Sequence, residues 1–131
     1  MKHFIALVHK DEDSAFGVSF PDLPSVFSAA DDEDDLMANA IEALRLWAED
    51  DSLPTPASFE EITTRDDIRA ELAKGAFLVR IPYIEDDTRV VRANVTFEKG
   101  MLDAIDAAAR ERGLTRSAFL ASAARKEIEA A

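Results

Sequence analysis

Residues 92, 94 and 96 of this chain are Arg, Asn and Thr, three hydrogen-bonding side chains spaced two apart. In an extended segment that spacing puts all three on one face. Such a row can read base edges. Arginine can be bidentate to guanine and asparagine to adenine, while threonine can hydrogen-bond or touch a thymine methyl. The opposite face of the same stretch, VVRANVTF at 90–97, carries Val91, Ala93, Val95 and Phe97. The chemistry on offer here is recognition.

A second group of residues could break bonds. Asp31, Asp32, Glu33, Asp34 and Asp35 run without interruption, and Asp11, Glu12 and Asp13 lie upstream. Metal-assisted phosphodiester cleavage needs several carboxylates converging on two ions about 4 Å apart. The downstream run, however, opens a helix, where carboxylates cap free N–H groups and suit the helix dipole. The upstream group lies in a turn, where solvation explains it. His3 and His9 are the only histidines, share a strand face, and read as structural or exposed. No serine has an evident histidine partner, there is no cysteine, and no glycine-rich loop could cradle a phosphate. The expectation is no catalysis, no metal and no cofactor.

The net charge of -12 should repel DNA, so its distribution matters. Residues 1–89 hold 21 Asp and Glu against 8 Lys and Arg, and residues 90–131 hold 6 against 7. The first part therefore carries -13 and the second +1. The acidic body suits a basic partner, and only the tail is plausible near phosphate. No apolar run reaches membrane-spanning length, the first residues make no secretory signal, and the lack of cysteine suits a reducing cytoplasm. A cytoplasmic protein without a membrane partner is expected.

The positioning elements follow from periodicity. KHFIALVHK alternates as a strand, with Phe4, Ala6 and Val8 opposite His3, Ile5, Leu7 and His9. DEDS is a turn. AFGVSF is a second strand, stopped by PDLP, and SVFSAA a third. DDEDDLMANAIEALRLWAEDD is an amphipathic helix, with Leu36, Met37, Ala40, Ile41, Leu44, Trp47 and Ala48 as its apolar stripe. A proline-bearing loop, SLPTPAS, precedes a short helix that opens on a capping-box-like TRDD at 64–67. That helix ends near Lys74, with Gly75 as the residue past its cap. AFLVRIPYI is a fourth strand, placed by Pro82 near an end or on an edge. The order βββ-α-α-β predicts an α+β fold with a layer of helix on antiparallel sheet.

The tail reads as strand, helix, tight turn, helix. EKGMLDAIDAAARERG gives a helix with Leu102, Ile105 and Ala109 on one face, flanked by Met101 and Ala108 and stopped by Gly113. LTRSAFLASAARKEIEA gives another, with Thr115 as N-cap and Phe119, Leu120, Ala123, Ala124 and Ile128 as apolar positions. A single strand cannot satisfy its own backbone, and two short helices bury too little to stand alone. A twofold homodimer solves both problems. Strands 90–97 would pair antiparallel over a core of Val91, Ala93, Val95, Phe97, Leu102, Ile105, Phe119 and Leu120. The resulting ribbon fits a major groove and would present Arg92, Asn94 and Thr96 to bases. Thr115, Arg116 and Ser117 would meet phosphate at the start of the second helix. The alternative is a solvated edge strand with a helical hairpin docked on the body.

RANVTFEKGMLDAIDAAARERGLTRSAFLASAAR resembles the ribbon-helix-helix repressors. GVSFPDLPSVFSAADDEDDLMANAIEALRLWAED followed by LPTPAS resembles the HicB antitoxin family. Together these cover nearly the whole chain. The resemblance implies residues 1–85 as a partial, inactive RNase H-like domain, 86–89 as a linker and 90–131 as a ribbon-helix-helix domain. It also implies a HicA-like mRNA-cleaving toxin as partner, operator DNA as ligand, and a homodimer or homotetramer as the assembly. Ser25 stands where a glycine is usual in the family. Ala118 replaces the glutamate that would complete a capping box, and Glu98 is unfavourable beside phosphate. The expected function is an antitoxin that also represses its own operon. Alternatives are a ligand-responsive repressor without a toxin and an active RNase H-like nuclease.

Overall fold

The alternation in KHFIALVHK builds β1, Lys2–Lys10, in the computed structural model, which describes residues 1–130. β2, Phe16–Phe20, pairs antiparallel with β1 through Leu7↔Ser19 and Lys10↔Phe16. The reversal at DEDS is held by Ser14, whose backbone N–H and hydroxyl both donate to the Asp11 carbonyl, with Asp13 at φ 61°. Aspartate tolerates that left-handed conformation better than most residues. Pro21 and Asp22 then turn the chain into β3, Leu23–Ala30. The Asp22 carboxylate accepts the Ala57 N–H at 2.8 Å, tying this turn to the proline-bearing loop.

β4, Phe77–Tyr83, lies on the other side of β1, so the strand order is β3-β2-β1-β4, antiparallel throughout. Pro82 falls one residue from the end of this edge strand, where a missing N–H costs least.

α1, Glu33–Asp50, crosses one face of the sheet. Its Leu36, Ala40, Ile41 and Leu44 pack against Phe4, Ala6, Val8, Val18, Phe20, Val26 and Ile81. Each large side chain withdrawn from water here contributes about 1.5–3 kcal/mol. The first-turn carboxylates Glu33, Asp34 and Asp35 are where the dipole favours them. Asp32 holds the N-cap position through its backbone alone and makes no side-chain cap, contrary to expectation.

The other face is also covered, which the single helix layer did not anticipate. Ile5 and Leu7 pack against Ile62 of α2, Phe59–Thr63, and Ile68 of α3, Asp66–Ala73. β1 is apolar on both faces because helices flank it on both sides. The expected order therefore gains a helix: three helices, not two, separate β3 from β4. The expected capping box is also displaced. It is Ser58 whose hydroxyl accepts the Glu61 N–H while the Glu61 carboxylate accepts the Ser58 N–H. Thr64 ends α2, and Arg65 stands at the N-cap of α3 without a side-chain bond. Gly75, at φ 102°, closes α3 as expected, with its N–H on Leu72 O and that of Ala76 on Glu71 O.

The chain divides into two compact units, Met1–Glu85 and Asp86–Ala131. Ala131, the last residue of the expected second domain, lies outside the described residues. The second unit holds α4, Lys99–Glu111, and α5, Arg116–Glu129. Residues 84–98 carry no assigned strand, so the segment expected as a strand at 90–97 is not one here. A β-strand is defined by a hydrogen-bonded neighbour, and among the described residues this segment has none. No helix among the described residues is long and apolar enough to cross a membrane.

Candidate nucleic-acid interface

The α4–α5 hairpin is shaped by its backbone. At the end of α4 the Gly113 N–H donates to Arg110 O and the Leu114 N–H to Ala109 O at 2.8 Å, with Gly113 at φ 67°. This arrangement satisfies the last carbonyls and reverses the chain within three residues. Thr115 then caps α5, its hydroxyl accepting the Ala118 N–H at 3.1 Å. Ala118 offers nothing in return, so only half of a capping box forms.

Arg116 follows at the first position of α5. Its Nε and Nη2 donate to Oδ1 and Oδ2 of Asp106 on α4, both at 2.8 Å. Hydrogen bonding from Arg116 holds the Asp106 carboxyl below the usual carboxylate range, helped by the charges of Arg116 and Arg110 and opposed by desolvation. Arg112 stacks over the Phe119 ring at 5.3 Å. The first contact ties the start of α5 to α4, and the second ties the C-cap of α4 to α5. Periodicity cannot reveal the Asp106 contact, because its partners are ten residues apart on different helices.

A cleft of about 350 Å³ opens beside this turn, lined by Asn94, Val95, Phe97, Leu102, Arg116 and Leu120, with Ala93 and Ser117. It brings Asn94 together with Arg116 and Ser117. Arg92, Thr96 and Thr115 do not line it. Arg92, Asn94 and Thr96 are all exposed, as is Glu98.

The apolar residues expected in a dimer core are largely uncovered in the single chain. Val91 is 87% and Val95 67% exposed, while Ala93 and Phe97 are also exposed. Leu102, Phe119 and Leu120 are half-buried, and Ile105 is buried with Ala109. No residue of α5 is fully buried. Ala123 and Ala124 are exposed and Ile128 is half-buried.

The remaining candidates sit apart from this cleft in sequence and chemistry. Asp11, Glu12 and Asp13 occupy the β1–β2 turn, and Asp31 to Asp35 lead into α1. Among the described residues no three His, Cys, Asp or Glu side chains gather closely enough to hold a metal ion. His9 Nε2 lies 2.8 Å from Glu71 Oε2, joining β1 to α3. Desolvation, with the charges of Arg80 and the N-terminus, pushes the His3 pKa down.

The family model for HicB-like antitoxins of bacterial toxin-antitoxin systems matches residues 4–124. The chain belongs to this family. A solved HicB antitoxin from Burkholderia pseudomallei is 32% identical, over 97% of this chain and 96% of that one, with a TM-score of 0.53. The antitoxin HicB3 is 29% identical over 96% and 97% of the two chains, with a TM-score of 0.52. A chain in a HicA3–HicB3 toxin-antitoxin complex is 20% identical over 63% of this chain and 99% of its own, at a TM-score of 0.52, which speaks to fold alone. No curated protein sequence matches. HicB membership brings an antitoxin role with it.

Proposed function

We propose that this HicB-family chain neutralises a small basic HicA-like toxin through residues 1–85. It would also repress its own operon by binding operator DNA through paired copies of residues 90–131, with 86–89 as linker. The observation that carries the antitoxin half is the family match across residues 4–124. Charge supports it, since the acidic body complements a protein that must itself bind RNA. A HicB relative with the same fold is known in complex with its HicA toxin. In this reading the body is a partial RNase H-like domain that catalyses no reaction, and the protein works in the cytoplasm.

The DNA half rests on the second unit. Val91 and Val95 stand in water on a segment without a ladder, and Val95 shares a cleft with half-buried Leu102 and Leu120. Exposed apolar residues alternating with Arg92, Asn94 and Thr96 suit pairing with a second copy. The pair would form a ribbon-helix-helix homodimer, with a homotetramer reached through the bodies. Arg92, Asn94 and Thr96 then read bases, while Thr115, Arg116 and Ser117 contact phosphate.

Two measurements test the halves separately. Coexpression with any HicA-like toxin that the neighbouring reading frame encodes should rescue growth; continued growth arrest would remove the antitoxin role. Fluorescence anisotropy with DNA from upstream of the operon should show tight binding that weakens steeply with salt. Equal affinity for unrelated DNA would remove the operator-reading role.

A further inference from the structure

Sequence periodicity assigns α1 one apolar stripe, and the structure gives it a second. Leu46 is 57% exposed on α1, and Phe27 is 69% exposed on the edge strand β3. With Ser25, Val26, Ala43, Trp47 and Asp50 they line a groove of about 390 Å³ between strand and helix. Trp47 packs its ring against the core on one side and lines this groove on the other. Its Nε1 is buried and has no hydrogen-bond partner. A buried indole N–H normally finds an acceptor, and leaving it unpaired costs free energy.

The charge at the same end of α1 is also wrong for a helix considered alone. Glu49 and Asp50 occupy its last turn and Asp51 its C-cap, with no basic residue in that turn. Carboxylates at a helix C-terminus repel the negative end of the dipole. No lysine or arginine lines the groove. Exposed aliphatic and aromatic side chains and an acidic helix end without a basic residue in its last turn thus meet in one place. A cationic protein surface that inserts an apolar side chain would match both.

We propose that this groove is where the basic HicA-like toxin docks, a placement that rests on the antitoxin reading above. Phe27 and Leu46 supply the apolar contact with the Trp47 ring beside them, and Glu49, Asp50 and Asp51 steer the encounter. The open backbone of β3 at Ser25–Phe27 lies alongside and is free to pair with an extended toxin segment.

The test titrates the intact 131-residue chain against a HicA-like protein that rescue by coexpression has identified as its partner, by calorimetry, with stopped-flow kinetics at two salt concentrations. Phe27→Ser and Leu46→Arg are expected to weaken binding on the order of 30-fold or more, as for residues at the centre of an interface. Their melting midpoints and operator binding should stay unchanged. Asp50→Lys should slow association and flatten its salt dependence. If Leu46→Arg does not fold, the other two variants carry the test. Wild-type affinity in all folded variants would overturn the groove and leave the antitoxin reading standing. A wild-type chain that binds no toxin removes that reading and the groove with it. Variants that shrink the assembly by sedimentation while keeping toxin affinity would assign the groove to a second copy and overturn the proposal.

Discussion

Arg116 and Asp106 face each other edge to edge across the α4–α5 turn, two nitrogens on two oxygens, both at 2.8 Å. The residue proposed to meet a phosphate already holds a carboxylate in the geometry a phosphate would take. DNA binding must therefore either exchange one anion for another or share the guanidinium between them. Asp106→Asn should tighten operator binding and steepen the dependence of log affinity on log salt by about one, since one more cation faces the backbone. Anisotropy titrations across a salt series check this; an unchanged slope would mean Arg116 stays on α4 in the complex.

The same pair gives a pH prediction. Hydrogen bonding from Arg116 depresses the folded-state pKa of Asp106, so the pair stabilises the fold above the ordinary aspartate range. That contribution is lost as pH falls through the depressed value. Melting curves of the wild type and Asp106→Asn should differ at neutral pH and converge in acid, below the range where aspartate normally titrates. A gap that widened on acidification would contradict the assignment.

Arg92→Ala should lose about 1–3 kcal/mol of operator affinity and relax the preference at one base pair of each half-site. Competition with singly substituted operators reads out both effects. A uniform loss at every position would move Arg92 from base to phosphate.

Leu44 is wholly buried between α1 and the sheet. Leu44→Ala should cost about 2–5 kcal/mol of stability by urea denaturation, from lost transfer free energy and the cavity left behind. A loss under 1 kcal/mol would mean the core collapses around the gap.

Gly113 sits at φ 67°, and a Cβ built there would meet nothing within 4 Å. The cost of Gly113→Ala is thus purely conformational, about 1–2 kcal/mol, and should appear as thermal destabilisation of the second unit. No change in melting would mean the turn relaxes to another geometry.

Much of this was readable from residues alone, for definite reasons. β1 to β4 are short apolar runs bounded by turn residues, α1 and α4 bury regular stripes, and Gly75, Gly113 and Thr115 mark helix ends through chemistry local to the chain. α2 escaped because five residues contain no full period, and its cap, Ser58 with Glu61, lay inside what looked like loop. The cover on Ile5 and Leu7 escaped because a strand face shows that it is apolar without showing what packs on it. In the candidate site, Asn94, Arg116 and Ser117 were legible as residue types, but Asn94 lies on a segment without a strand and their meeting in one cleft was not. The hold of Asp106 on Arg116, and the meeting of Phe27 with Leu46, depend on tertiary placement that spacing does not encode.

A further consequence belongs to the bare valines of residues 90–97. In the proposed dimer, a reading element complete only in duplicate would give operator occupancy a second-order dependence on chain concentration wherever the pair is only partly formed. Halving the supply of this antitoxin would then cut the pool of DNA-competent pairs toward a quarter. The promoter would respond to scarcity more sharply than one-to-one capture of a toxin does, restarting synthesis before protection runs out.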